Sequence, residues 1–204
     1  MISQHHGPAL ERIRQEADAA TARRLLASGA KALLFAGLMW AAAAAGEIPV
    51  PGTPVPITMQ TFVLMLAGLT LSWREAASAV ATYLAAGAAG LPVFAGGAST
   101  LALVGPSAGF LIGFLPAVVI TALVRGRART DSVRGRLLTA LRYFGAIVLG
   151  VIVVLYPFGA FVQSVLTGVP FGAVMAASLG FLVGDLPKAV IVSAVCAGFS
   201  VSKR

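Results

Sequence analysis

Asp185 and Lys188 are the residues of this chain whose types and spacing could most plainly do chemistry. They stand in GFLVGDLPKAVIVSAV, with no other charge from Tyr143 to Gly184 or from Ala189 to Ser202. On a helix, a spacing of three residues puts both side chains on one face. A carboxylate accepts hydrogen bonds and an ammonium donates them, so the pair can hold a ligand that has both a donor and an acceptor. Two plainer readings fit the same residues. One is a structural salt bridge. The other is a helix start, in which Gly184 ends one helix, Asp185 caps the next, and Pro187 falls in the first turn, where a missing N–H is harmless. Ionisable groups inside membrane helices cost at least ~2.5 kcal/mol each and by default mark functional sites, so the surroundings of the pair decide how much weight the ligand reading carries.

Those surroundings are apolar. Of 204 residues, 58% are hydrophobic and 11% charged, where a soluble domain carries about 25% charged residues. Charge is absent from 48–73, 76–124 and 143–184. A helix crossing ~30 Å of hydrocarbon needs about 20 residues, so the second of these runs holds two crossings and a turn. The runs do not alternate polar and apolar positions as an outer-membrane barrel would. The expected fold class is therefore an all-α membrane protein, a six-helix bundle with structured outer loops. The expected spans are 25–46, 58–72, 75–89, 106–124, 137–156 and 185–199, with a shorter helix over 171–182 before the last. The division is a lead-in over 1–30, one transmembrane domain over 31–200 and a tail over 201–204. The first apolar segment comes too late for a cleaved signal peptide.

The formal net charge of +8 is unevenly placed. Every Lys and Arg except Lys188 falls in the first 31 residues, at Arg74, in or beside the loop after the fourth span (Arg125 to Arg142) or in the tail. Basic residues concentrate on the cytoplasmic side, which puts both termini inside and leaves Glu47, Asp185 and Lys188 to the outer side. The outer loops are unusual in being apolar. EIPVPGTPVPITMQ (47–60) has four prolines, and GLPVFAGGASTLALVGPSAG (90–109) is rich in glycine. Pro restrains the backbone and Gly allows tight turns, so these segments read as a folded lid. Irregular backbone at membrane depth is tolerated only where protein covers it or a cavity lies beside it.

The remaining polar and aromatic candidates each have a bland reading. Thr58 and Gln60 stand at the top of the second span and serve equally as a cap and a solvated amide. Tyr83, Phe94 and Phe110 fit core packing, and Glu47 fits a solvated interfacial position. There is no GxxxxGK[ST], HExxH or GxSxG pattern. His5 and His6 are the only histidines and Cys196 the only cysteine, which leaves no histidine metal site and no intrachain disulfide. No nucleophile–base set points to an enzyme.

The chain resembles the BioY family, the biotin-binding S components of energy-coupling-factor (ECF) transporters. The resemblance covers about 31–199 and rests on PGTPVPITMQTF (51–62), LAGL (66–69), YLAAGAAGLPVFAGG (83–97), GPSAGFLIGF (105–114) and GDLPKAV (184–190). The family more often has GPTGGY where this chain has GPSAGF. The resemblance implies high-affinity biotin capture for uptake across the bacterial cytoplasmic (inner) membrane, with no chemical conversion and no cofactor. It also implies a transmembrane coupling protein of the EcfT or BioN kind and BioM-like ATPase subunits, which alone would bind ATP. Asp185 would accept from the ureido N–H groups of biotin, and Lys188 would donate to the ureido carbonyl or pair with the carboxylate. Gln60, with Thr58, would add polar contacts, Tyr83 and Phe94 would cover the apolar body, and Gly96 and Gly97 would let the loop approach. Ala32 and Ala36, an AxxxA pair on the first span, would dock the coupling protein, since small residues let helices pack closely. The alternatives are a solitary biotin facilitator, an S component for another vitamin and an intramembrane enzyme.

Overall fold

The computed structural model describes residues 7–129 and 131–199. The expected tail and the first six residues of the lead-in lie outside them. The described helices form six rods. The first is α1 (Gly7–Ala44). It runs unbroken across the expected boundary at residue 30, because Ala, Leu, Arg and Glu dominate the stretch and all favour helix. An antiparallel hairpin follows, β1 (Glu47–Val50) and β2 (Thr53–Thr58), with Glu47 opposite Thr58 and Val50 opposite Thr53. The all-α expectation is corrected here. Pro51 and Gly52 make the two-residue turn, and Gly52 takes φ +84°, a value glycine adopts without steric cost.

Next come α2 (Gln60–Thr70), α3 (Trp73–Ala88) and α4 (Ala108–Val124). Ser72 and Glu75 form a capping box at the head of α3: the Ser72 hydroxyl accepts from the Glu75 N–H and the Ser72 N–H donates to the Glu75 carboxylate. The same carboxylate takes Lys31 at 2.9 Å and the Ser28 hydroxyl at 3.2 Å, fastening α1 to α3. The fifth rod is longer than expected. α5 (Val133–Ile147) passes through a π-helical segment (Val148–Leu155) into α6 (Tyr156–Thr167). Pro157 has no N–H to give the regular ladder, and the π segment ends just before it; such wide turns are rare interruptions of α-helices. The last rod joins α7 (Phe171–Ser178), a tight turn (Leu179–Phe181) and α8 (Leu182–Phe199). Asp185 therefore lies inside α8 and caps nothing, which removes the helix-start reading.

Among the described residues three stretches are long and apolar enough to cross a membrane: Arg14–Ala44, Val133–Thr167 and Phe171–Gly198. α2 has 11 residues and rises about 16 Å, so it reaches bilayer thickness only together with the hairpin leading into it. Ala32 and Ala36 are buried among core residues of the bundle, while Leu33, Leu34 and Trp40 face outward. Within the chain the small size of this alanine pair serves close packing of α1 on the bundle. α4 packs against α3, the π segment and α6, and glycine makes the closest approach possible. A Cβ on Gly109 would stand 2.6 Å from Val162 Cβ and 2.8 Å from the Gly159 carbonyl oxygen.

Because one of those contacts is backbone, Gly109→Ala forces α4 and α6 apart. It should destabilise the protein by about 1–3 kcal/mol, as overpacked cores do, read as a lower thermal-unfolding midpoint in detergent. Gly145→Ala, where nothing lies within 4 Å, should leave the midpoint unchanged or slightly raised.

Candidate ligand-binding site

Asp185 and Lys188 form an ion pair at 3.0 Å, one turn apart on α8 and both buried (4% and 8% exposed). The Lys188 ammonium donates to Asp185 Oδ1, to the Thr61 hydroxyl at 2.9 Å and to the Thr58 carbonyl at 2.8 Å. An ammonium has three protons, so all are used inside the protein. Asp185 Oδ1 also accepts from the Thr61 hydroxyl at 2.6 Å, and Oδ2 accepts from the Tyr156 hydroxyl at 2.8 Å. A carboxylate offers about four acceptor positions. Three are filled, and the one left is on Oδ2.

A second cluster adjoins it. The Thr58 hydroxyl donates to Gln60 Oε1 at 2.9 Å and accepts from the Gln60 N–H at 3.2 Å. Gln60 Nε2 donates to the Tyr83 hydroxyl, which donates to the Val93 carbonyl at 3.0 Å. An amide NH2 carries two protons, and among the described residues only Tyr83 takes one. Tyr83 also meets Phe94 edge to face, with ring centroids 5.2 Å apart. The head of α2, the end of α3 and the loop after it are thus locked together by one short chain of hydrogen bonds.

Between these clusters lies a cavity of about 490 Å³, within the usual range of ligand pockets. The hairpin lines one side of it and the segment from Phe94 to Ser107 another. Phe110 and Phe114 of α4, Leu155 and Tyr156 of the fifth rod, and Phe181 line its interior. Phe181 touches Phe110 and Tyr156 edge to face at 5.4 and 5.7 Å between centroids. Asp185, Gln60, Thr58 and Thr61 supply the polar part of the wall. Glu47, Pro49, Pro54 and Gly96 line the cavity while exposed to solvent, which marks them as its mouth. No Lys, Arg or His is in the lining. Among the described residues no group of three or more His, Cys, Asp and Glu stands ready to hold a metal ion.

The expected site residues converge here with different parts to play. Asp185, Gln60, Thr58, Phe94 and Gly96 line the cavity; Lys188, Tyr83 and Gly97 do not. Lys188 stands behind Asp185 and Tyr83 behind Gln60, each bonded to the residue that faces the cavity. Gly97 shapes the turn with φ +74°. Glu47, expected to be merely solvated, borders the mouth. Sequence reasoning missed Thr61, Tyr156 and Phe181 and took Phe110 for packing. Tyr156 offered one signal, a phenol within a charge-free run. Thr61 offered none beyond its place next to Gln60.

With this geometry established, comparison with known proteins is informative. The family model described as "BioY family" matches residues 14–203. A protein of Rhizobium etli named "Biotin transporter BioY" is 36% identical over 159 residues, 78% of this chain and 84% of that protein. One of the same name from Rhodobacter capsulatus is 39% identical, over 79% of this chain and 87% of that protein. A crystal structure described as the S-component for biotin from an ECF-type ABC transporter superposes with a TM-score of 0.75. It covers 86% of this chain and 91% of that one at 22% identity, a likeness of fold.

The Asp185 network predicts an order of stabilities. Thr61→Val leaves both the buried carboxylate and the buried ammonium one partner short. Tyr156→Phe deprives the carboxylate alone, at about 1.5–3 kcal/mol for a bond to a charged group. Thr61→Ser keeps the hydroxyl. Thermal-unfolding midpoints should fall in the order Thr61→Ser, Tyr156→Phe, Thr61→Val, with the first close to the native protein.

Proposed function

The chain belongs to the BioY family, and from that premise we propose that it captures biotin for uptake across the bacterial cytoplasmic membrane, as the substrate-binding S component of an ECF-type transporter. Its partners in this reading are a transmembrane coupling protein and ATPase subunits, and ATP acts only on the latter. The reading makes it a multi-pass protein of six crossings with both termini cytoplasmic, supported by the gathering of Lys and Arg at one end of the rods. Capture needs no chemical step.

One observation carries the choice of ligand: an apolar cavity whose polar wall keeps one open acceptor, on Asp185 Oδ2, and one open donor, on Gln60 Nε2. Biotin ends in a cyclic urea with N–H donors and a carbonyl acceptor. In the proposed pose a ureido N–H donates to Asp185 and the ureido carbonyl accepts from Gln60. The thiophane ring packs among Phe94, Phe110, Phe114 and Phe181. Lys188 contacts neither end of the ligand, because its protons are spent; it holds the Asp185 carboxylate in place through its bond to Oδ1. Its expected role as a ligand donor passes to Gln60. The pose sends the valerate chain toward the mouth, where the carboxylate meets solvent and Glu47 and no cation.

Asp185→Asn presents one acceptor oxygen in place of two. A bond to a charged acceptor contributes about 1.5–3 kcal/mol, so biotin affinity should fall roughly tenfold to a hundredfold by calorimetry on the purified protein. Unchanged affinity in a folded variant would falsify the role given to Asp185, and absence of biotin binding by the native protein would remove the function itself.

The carboxylate end is tested with a neutral ligand. Biotinamide should bind the native protein within a few-fold of biotin. Glu47→Gln should strengthen biotin modestly, as removal of a like rim charge does, and leave biotinamide unchanged. A large preference for the acid over the amide, lost in Lys188→Gln, would instead place the carboxylate at the buried ammonium.

A further inference from the structure

Asp185 and Glu47 are the charged residues in the lining of the ligand cavity, and both are acids. Asp185 is buried, with Lys188 bonded behind it. Glu47 stands exposed at the mouth. The two ion pairs among the described residues are Lys31–Glu75 and Lys188–Asp185, and neither engages Glu47. A Cβ on Gly96 would meet the two carboxylate oxygens of Glu47 at 3.6 and 3.8 Å. The carboxylate therefore lies across the mouth, from the hairpin to the turn at 95–97. The connections at this end of the bundle, over 45–59, 89–107 and 168–170, hold no other charged residue.

Thr53, next to Pro54, adds a neutral group to the same lining. Its hydroxyl accepts from the Val55 N–H at 3.2 Å and from Gln163 Nε2 at 3.4 Å. Its own proton has no acceptor among the described residues. A hydroxyl donor serves an acyl oxygen in an acid and in an amide alike. A carboxylate is held most strongly by bonds to cations, and the lining contains no Lys, Arg or His. The mouth thus offers a neutral donor and a negative charge, a poor match for an anionic tail and a good one for a neutral or cationic tail.

We propose that this cavity captures N-substituted biotinyl amides as well as the free acid, and favours those whose substituent ends in an ammonium. The proposal rests on the biotin pose, in which the ring system is read inside and the acyl end leaves through the mouth. Amidation there removes a negative charge that faces Glu47 and has no cation to meet. The substituent runs out to solvent past Pro49, Pro54 and Gly96, and an ammonium at its end pairs with Glu47. Opposite charges across a binding rim attract and like charges repel, so the tail's charge sets the order among ligands that share the same ring. The substrate class then includes biotin joined to amines, the lysine side chain among them.

The test uses full-length protein purified in detergent at low salt, with calorimetry on biotin and three amides. These are neutral biotin pentylamide, biotinyl-cadaverine with a terminal ammonium, and biotinyl-aminohexanoate with a terminal carboxylate. The pentylamide should bind within a few-fold of biotin. Biotinyl-cadaverine should bind roughly two- to fivefold tighter than the pentylamide, the scale of an exposed ion pair, and biotinyl-aminohexanoate more weakly than it. Glu47→Gln should bring the three amides to one affinity, and so should about 1 M salt on the native protein. The salt arm keeps the test decisive if the variant does not fold. A native protein that binds biotin and rejects the pentylamide would overturn the proposal and leave the biotin reading standing. Equal affinities of the three amides at low salt, or an order among them that survives in Glu47→Gln or in high salt, would overturn it as well. Failure of every ligand, biotin included, would bring down the biotin reading and the proposal with it.

Discussion

The structure depends on keeping a carboxylate and an ammonium in the middle of an apolar bundle. Neither Asp185 nor Lys188 can be taken out of water alone, since an uncompensated buried charge costs several kcal/mol. Their mutual pairing satisfies only part of their hydrogen-bonding capacity. The rest is supplied by Thr61 of α2, the Thr58 carbonyl at the end of β2 and Tyr156 of the fifth rod. One electrostatic demand therefore fixes where the last rod, the hairpin, α2 and the fifth rod meet. The wide π segment before Tyr156 and the Pro157 that follows it belong to the same arrangement, because a regular ladder would aim that phenol elsewhere.

The cavity follows from this meeting point. Saturating Lys188 inside the protein and leaving Asp185 one acceptor short turns an ion pair into a neutral, directional acceptor at a cavity wall. The Thr58–Gln60–Tyr83 chain does the same for a donor, since each group holds the next and one amide proton is left over. The aromatic edge-to-face contacts of Phe181 with Phe110 and Tyr156 keep the apolar part open without lining it with flexible chains. A rigid wall of this kind favours a compact, mostly apolar ligand with one adjacent donor–acceptor set, which is the chemistry the proposed capture of biotin requires.

The two ends of the bundle differ in their electrostatics. At the cavity mouth the charges are acidic, and the hairpin and glycine turns bring backbone rather than long side chains to the surface. At the opposite end arginines gather, with Arg142 tied to the Arg127 carbonyl. The cavity lining, by contrast, contains no Lys, Arg or His.

Much of this was legible from residue order alone. Charge-free runs point to membrane insertion because apolar length is counted along the chain, and the solitary Asp185–Lys188 pair drew attention to a stretch that the structure sets, through Asp185, on the wall of a cavity. The Pro/Gly-shaped segment at 47–60 announced a structured lid. Tertiary structure alone decided the rest. It made that lid a β-hairpin, since pairing Glu47 with Thr58 requires both strands in register. It buried Ala32 and Ala36, because which face of an evenly Ala-rich helix turns inward depends on its neighbours. It also put Lys188 behind Asp185 and Tyr156 in front, assigning one to support and the other to the cavity wall. The partners that saturate Asp185 and Lys188 lie from 29 residues away, at Tyr156, to 130 residues away, at Thr58, and no local spacing encodes a hydrogen bond over such separations.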